Sequence, residues 1–586
     1  MGTVRLAALL AILGLVPGCK EPATPDVAVN HSLSAALSGQ VACPAHADFV
    51  VTDEASLLAA LGAVGQGDTV AIGGALEMSV PSFDVTVDGI TLTCATPGSG
   101  LSIRSGASIN NMIVVKSRGV TVERLVLDSR GAIGGAYLTF FDPAEGGFAE
   151  DARFLNNRVL CGAGADPCVF FALNGKPGAI VADNTFESDG AVTVVQLQGV
   201  DGGHVERNIW TGSSVDPLVL LATHGVQIVE NTIICGSDEC LFGDGIPGTV
   251  VARNRFESGG SGTGVHLQGG IDGVRVENNE IVATAPSTGP NFGAVRVRGG
   301  SNVIVAGNVV LGPWANSIAA AALVGSRSRI ENNRLEGATH DAIRVFASAS
   351  VEITGNRVRC GGDSCFFADG SPALTIADND FESAGSLTGV QLQNGIDGSR
   401  VERNKIAATA PSTVEVLGGI RVRDGSDVVV AHNVIQGPWT NGIAAADLDR
   451  SEFAANEVDG AAFYGLRMAS GGAFRLVSMT DNSVRTNRVS GSGTAGILVY
   501  SACRNTFIGN NLERNVGNLG AIFDETTGAN TFVGNRNVVA NDGSFDCNGD
   551  GIADPNILTG PGRARTGMNL GQIVSGAAAP PGSKLR

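Results

Sequence analysis

Along most of the chain, apolar positions alternate with polar ones over short stretches, and the alternation recurs around an asparagine. The local pattern is an apolar or β-branched residue, two mostly polar residues, Asn, one residue, then another apolar residue. Examples are VADNTF, VERNIW, VENNEI, IENNRL, ITGNRV and FIGNNL. One Asn per unit gives Asn157, Asn184, Asn208, Asn231, Asn254, Asn279, Asn308, Asn333, Asn356, Asn379, Asn404, Asn433, Asn456, Asn487, Asn511 and Asn535, spaced 23 to 31 residues apart. Period-two alternation marks half-buried strands. A unit of this length with Gly or Asn turns and no helical stripe predicts one coil of a parallel β-helix. Leucine-rich repeats have a similar length, but their Leu-dominated consensus is absent. The repeated Asn tolerates a left-handed backbone at a sharp turn, and its amide both donates and accepts, so stacked copies are expected to bond along the axis. A single coil buries little, so stability has to come from neighbours about 4.8 Å away.

A longer duplication overlies this rhythm. Asn231, Asn254, Asn279 and Asn308 reappear 125 residues later at Asn356, Asn379, Asn404 and Asn433. ENNEIVATAPST, from Glu277, matches ERNKIAATAPST, from Glu402, and GPWANSIAAA around Trp314 matches GPWTNGIAAA around Trp439. Copying whole coils preserves interior and turns, and it also copies an exposed surface. At the front, residues 52–72 read as a short helix followed by a strand, with Leu57, Leu58, Leu61 and Val64 on one apolar stripe before Gly65 and Gly67. Such a helix suits a cap over the first open coil edge. The order of helix, GQGDTVAI and extended segments resembles the start of proteins with the pectin lyase-like fold, and the repeats from Val70 to Val539 resemble the right-handed β-helix repeat family. The resemblance implies an all-β, single-stranded right-handed parallel β-helix with an N-terminal capping helix, over residues 49–545. It is poor for activity, because the family includes lyases, hydrolases, epimerases and noncatalytic adhesins.

Composition agrees with strands and turns: 82 glycines and 5% aromatic residues. The formal charge of -18 and a pI near 4.8 argue against nucleic acid as a partner, since phosphate binding rests on a basic field. The first residues read as an address. Arg5 precedes an apolar run from Leu6 to Val16, too short to span a bilayer, ending at small residues before Cys19. Val16, Pro17, Gly18 and Cys19 resemble the lipobox of bacterial lipoproteins, which implies cleavage before Cys19 and its acylation. Residues 1–18 are then a signal peptide, residues 19–48 a Pro-, Ala- and Ser-rich flexible tether, and the protein is exported and held to a bacterial membrane, at the cell surface or in the periplasm.

Eleven cysteines fit an oxidising compartment, since lipidation of Cys19 leaves an even ten. Cys161 and Cys168, Cys235 and Cys240, and Cys360 and Cys365 form three close pairs, read as disulfide-closed loops. Zinc is the competing reading, but the pairs lack a recurrent His and would sit in different coils. Spacing leaves the pairing of Cys43, Cys94, Cys503 and Cys547 open.

Enzyme signatures of the resembling families are absent: no Asp-Asp pair or Gly-His-Gly as in polygalacturonase-like hydrolases, and no Asp-Pro-His as in alginate-epimerase-like members. Aligning the strands VHLQ, VRVR, IAAA, IRVF, VQLQ, IRVR, IAAA and LRMA puts His266, Arg296, Arg344, Gln391, Arg421 and Arg467 on one outer face if the aliphatics point inward. Such a column could read an extended acidic polysaccharide; the competing reading has these arginines solvating strands and pairing with nearby acids. His340, Asp341 and Arg344 form the densest chemical cluster, with Phe463, Tyr464 and Arg467 as the equivalent word. His or Tyr could remove a proton beside a uronate carboxylate while Arg stabilises the developing charge; otherwise both are turn residues.

Beyond the repeats, DCNGDGIAD places Asp546, Asn548, Asp550 and Asp554 around Gly551 at the alternating spacing of a calcium loop. It resembles calcium loops of thrombospondin type 3 and dockerin-like modules, but its twelfth position is Ile557 rather than Glu. Residues 546–586 thus read as a calcium-loop-like segment and a disordered tail. The leading expectation is a lipid-anchored surface β-helix presenting a repetitive face for polysaccharide or cell-envelope binding without catalysis. A polysaccharide lyase or epimerase acting on a uronate glycan and a structural spacer are the alternatives.

Overall fold

The computed structural model describes residues 42–559 and 564–565, apart from residues 108–110, 133–136, 142–148, 237, 260–261, 288, 290–291, 326, 386, 413, 415, 470–478, 516–518, 525 and 542. The expected signal peptide, Cys19, most of the expected tether and the tail after 565 lie outside the described residues. The described body is a parallel β-solenoid with a single helix among its described elements.

Each coil contributes to three ranks of strands. The first rank holds three-residue strands such as Val250–Ala252, Arg275–Glu277 and Ile304–Ala306, paired parallel and in register. The second follows the repeated Asn, with Thr232–Cys235, Arg255–Ser258 and Glu280–Ala283. The third holds the longer strands Glu239–Asp244, Thr263–Gln268 and Gly293–Ser301. The period-two pattern explains the interior: the middle residue of each first-rank strand, such as Val251, Val276, Val305, Ile330 and Ile353, is fully buried. Aromatic residues stack along the axis where the interior is wide, with Phe186 between Phe154 at 6.3 Å and Trp210 at 4.9 Å.

The asparagines form a buried ladder. Asn279 Nδ2 donates to Asn308 Oδ1 at 3.0 Å, Asn308 to Asn333 at 3.0 Å, and so on along the axis. Each amide also donates to a carbonyl of the preceding coil, as Asn308 Nδ2 does to Val276 at 2.8 Å. Two corrections follow. The left-handed position is the residue before the ladder Asn, as at Asp183, Arg207, Glu230, Arg253 and Arg403. The chain turns there so that the next side chain points inward and bonds its stacked copies. In the late coils the ladder passes through Asn510 rather than Asn511, from Asn487 Nδ2 to Asn510 Oδ1 at 3.0 Å and on to Asn535 at 2.7 Å. Gly509 takes the turn before it. A second ladder of Asn482, Asn505, Asn530 and Asn556 runs along another corner of the last coils.

The helix spans Glu54–Ala63, and Asp53 caps it by accepting from Ser56 N at 2.7 Å. Its buried stripe is narrower than expected: Leu57 and Ala60 are buried, whereas Leu58 is 44% exposed because it points away from the first coil. Five disulfides staple the body. The three close pairs are bonded as read, and the open pairings resolve as Cys43–Cys94 and Cys503–Cys547. They suggest folding in an oxidising environment. At the front, Cys43 is tied to the solenoid ahead of residue 49, and at the back the pairings of Ile557–Thr559 and Ala564–Arg565 carry the ladder past residue 545. Among the described residues no helix is long and apolar enough to cross a membrane.

Candidate functional site

Third-rank strands bury one set of alternating residues, among them Val265, Leu267, Val295, Val297, Ile343 and Val345. The other set faces away and stacks in register. One column runs His266, Arg296, Ala319, Arg344, Phe367, Gln391, Arg421, Ala444 and Arg467. The six residues expected to share an outer column therefore lie in one column, with Ala319, Phe367 and Ala444 on intervening rungs. Two residues along each strand, a second column runs Gln268, Arg298, Ala321, Phe346, Asp369, Gln393, Arg423 and Ala446. Between the arginine rungs the alanines leave room. A groove of about 460 Å³ is lined by Arg296, Arg298, Ala319, Ala321, Arg344 and Phe346.

Arg296 and Arg421 sit beside further arginines. Burial and then neighbouring Arg298 lower the Arg296 pKa, with Glu239 opposing. Burial and then Arg423 lower that of Arg421, with Arg467 adding and Asp424 opposing. Arg296 lies over the Phe292 ring at 5.8 Å, and Arg344 over Phe367 at 5.6 Å. Arg423 Nε reaches Asp424 at 2.5 Å, and Gln391 Nε2 donates to Gln393 Oε1 at 3.0 Å. His266 departs from the expectation of a solvent-facing residue: it is 5% exposed, because its ring packs edge-on against Phe242 at 5.4 Å and its Nδ1 lies 2.9 Å from Glu239 Oε1. Its Nε2 has no hydrogen-bond partner among the described residues.

Beside His266 the fold assembles an acidic group that the sequence reading missed. One oxygen each from Asp216, Asp238 and Glu239 lies within 4.8 Å of the others. Asp216 Oδ1 also accepts from Glu239 N at 3.1 Å. Burial and then the Glu239 charge push the Asp216 pKa up, whereas hydrogen bonding and charge from His266 overcome burial and hold Glu239 down. Glu239 therefore carries the shared negative charge and Asp216 takes up a proton first. Three hard carboxylates at this spacing fit a divalent cation such as calcium. The available signal was phase: Asp216 and Glu239 are 23 residues apart, one coil.

His340 and Asp341 lie at the start of the rung that carries Arg344. Asp341 is buried, and burial pushes its pKa up to about 6, with Arg344 opposing and Asp363 adding to the rise. His340 is partly exposed, with Nδ1 3.3 Å from Thr339 Oγ1. Tyr464 packs against Ala495, Leu519 and Ile522, with Phe463 at 6.5 Å. In the terminal loop, Asp546 Oδ1 accepts from Gly549 N at 2.7 Å and Oδ2 from Gly551 N at 2.7 Å, while Asp550 accepts from Ile552 N and Asp554 from Cys547 N. These carboxylates are bound to their own backbone, and the Cys503–Cys547 bridge holds the loop to the last coils.

Residues 248–406 and 389–537 match the family model described as right handed beta helix region. No curated protein sequence matches the chain. Among solved structures, the alginate lyase AlyGC is similar at 10% identity, over 89% of this chain and 98% of that one, with a TM-score of 0.32. The Dettilon tailspike protein is similar at 12% identity over 63% of this chain, which spans only 61% of the tailspike, with a TM-score of 0.29. The surface protein and adhesin PfbA of Streptococcus pneumoniae is similar at 11% identity, over 78% of this chain and 94% of that one, with a TM-score of 0.23.

Proposed function

We propose that this right-handed parallel β-helix uses its third rank as a docking face for an extended acidic polysaccharide, without turning it over. The export signal and a lipid on Cys19 would hold that face outside the cytoplasmic membrane. The in-register column carrying Arg296, Arg344, Arg421 and Arg467 supports this reading. Arg296 and Arg421, half buried beside Arg298 and Arg423, gain from an added anion, and a linear polyuronate or sulfated glycan offers such charges at regular intervals. The test is retention of the purified mature body, with calcium present, on immobilised uronate and sulfated polysaccharides, scored together with ultraviolet-absorbing product. Salt-sensitive retention without product, lost in the Arg344→Ala, Arg421→Ala double variant, supports the reading. Failure on every glycan leaves the structural spacer.

A second reading, a polysaccharide lyase or epimerase, is favoured by the Asp216, Asp238, Glu239 and His266 group, whose His266 is one rung from Arg296. There a cation and the arginine would neutralise a uronate carboxylate while a base takes the proton from the adjacent carbon. The electron pair then expels the glycosidic oxygen in a lyase, or takes back a proton on the opposite face in an epimerase. Unsaturated or epimerised product, lost in Glu239→Gln, would install this reading over the first. His340, Asp341 and Tyr464 are the further candidates for the proton step. Calcium in the loop of Asp546, Asn548, Asp550 and Asp554 is proposed as structural, with a lower melting temperature after chelation as its sign.

A further inference from the structure

The 125-residue duplication copies the docking face as well as the coil. In the first copy Arg296 and Arg344 stand on either side of Ala319, each one rung away. In the second, Arg421 and Arg467 stand on either side of Ala444 in the same way. Arg421 and Ala444 lie 125 residues after Arg296 and Ala319, whereas Arg467 follows Arg344 by 123. The register restores it to the equivalent rung, so the fold reproduces the arrangement where the sequence spacing slips. Elsewhere on the same face the copies diverge: Glu239 and His266 become Ser364 and Gln391. The arginine–alanine–arginine arrangement is thus shared by the two copies, as are Arg298 and Arg423 beside it, and the acid–histidine group belongs to the first alone.

We propose that these are two equivalent stations for carboxylate or sulfate groups, and that one extended polyanion chain occupies both at once. This rests on the docking function proposed above. From Arg296 to Arg421 is five rungs, about 24 Å at the ordinary spacing between strands. Between the stations this column carries the uncharged Phe367 and Gln391 for a sugar chain to cross, while in the second column Asp369 accepts hydrogen bonds from Gln393 and Asn394. An oligomer shorter than the span meets one station at a time. One longer than it makes the second contact intramolecularly, which raises affinity without any new type of contact.

The test uses the full mature chain and size-graded oligogalacturonates, with oligomannuronates and sulfated oligosaccharides in parallel, read by calorimetry. Trimers should bind two per chain, and oligomers of about twelve residues one per chain with about a hundredfold or more higher affinity. Arg296→Ala with Arg344→Ala, or Arg421→Ala with Arg467→Ala, should each leave one trimer site and abolish the gain with length. Unchanged far-ultraviolet circular dichroism and melting temperature establish that each variant is folded; Lys replacements at the same positions keep the charge and should restore trimer binding if either Ala pair is not. One trimer site in the parent, or a length gain that survives in either variant, overturns the two-station inference while leaving a docking face intact. Absence of binding by every probe overturns the docking function and the stations with it.

Discussion

Arginines occupy two kinds of place in this molecule, and the difference shows which ones are structural. At the corners before the Asn ladders, an acid on one coil meets an arginine on the next: Arg207 with Asp183 and Arg403 with Asp378 at the first ladder, Arg504 with Asp481 at the second. The pairing raises the pKa of each of these arginines, chiefly through the hydrogen bond to its acid. On the third rank, burial and neighbouring cations push Arg296 and Arg421 the other way. Both kinds recur with the coil, so periodicity alone does not separate them. What separates them is whether the next rung supplies an acid. The corner meets its acid on the adjacent rung, whereas on the face the rung after Arg296 and after Arg421 carries an alanine, Ala319 or Ala444, and further cations stand beside both.

The sharpest way to break this contrast is to change the same number of arginines in each region. Removing Arg296, Arg344, Arg421 and Arg467 together should abolish glycan retention, because a charged hydrogen bond contributes about 1.5–3 kcal/mol. Removing Arg207, Arg253, Arg403 and Arg504 should leave retention within about twofold, measured on the same column, since exposed pairs of this kind contribute little. Equal losses from both sets would dissolve the distinction.

A smaller effect concerns Asp341, whose pKa rises from the ordinary 3.8 to about 6 on folding. The folded state then binds its proton more tightly, so this group's contribution is complete below about pH 4 and is lost as pH rises through 6. The loss is on the order of 3 kcal/mol. In paired denaturation curves, Asp341→Asn should gain stability relative to the parent between pH 4 and 8; a constant difference would mean that Asp341 ionises normally.

Within the ladder, Asn404→Ala removes bonds to Ile376 and Asn433 and strands their partners, which should cost about 1–3 kcal/mol in urea unfolding with no change in retention per folded molecule. The smallest effect belongs to the corner. Arg207→Ala should change stability by less than about 1 kcal/mol, falling further in high salt, because both Arg207 and Asp183 are substantially exposed.

The fold was legible because its causes are local and repeated. Alternation at Val251, Val276 and Val305 marks inward positions, and recurrence of Asn279, Asn308 and Asn333 marks stacked turns. The ladder residue itself was misread once, at Asn511: Asn510 is adjacent, and it is Asn510 that stands fourth in FIGNNL as the ladder Asn does in VADNTF, with the backbone turn at Gly509 before it. The arginine column was legible for the same reason as the strands, since a parallel ladder keeps residues of equal phase on one line. Exposure was not. His266 has the phase of a surface residue, yet Phe242 and Glu239 on the preceding coil enclose it.

By itself, then, the sequence determined the coil, its approximate length, the side each residue faces and the three close cysteine pairs, because all of these depend on spacing within a unit or between like units. The tertiary structure decided the partners across coils whose spacing varies. It joined Cys43 to Cys94 and Cys503 to Cys547, brought Asp216 to Asp238 and Glu239, and closed Phe242 and Glu239 over His266. The physical reason is that loops of unequal length separate the strands of successive coils, so distance along the chain stops measuring position along the axis, and only the hydrogen-bonded register restores it.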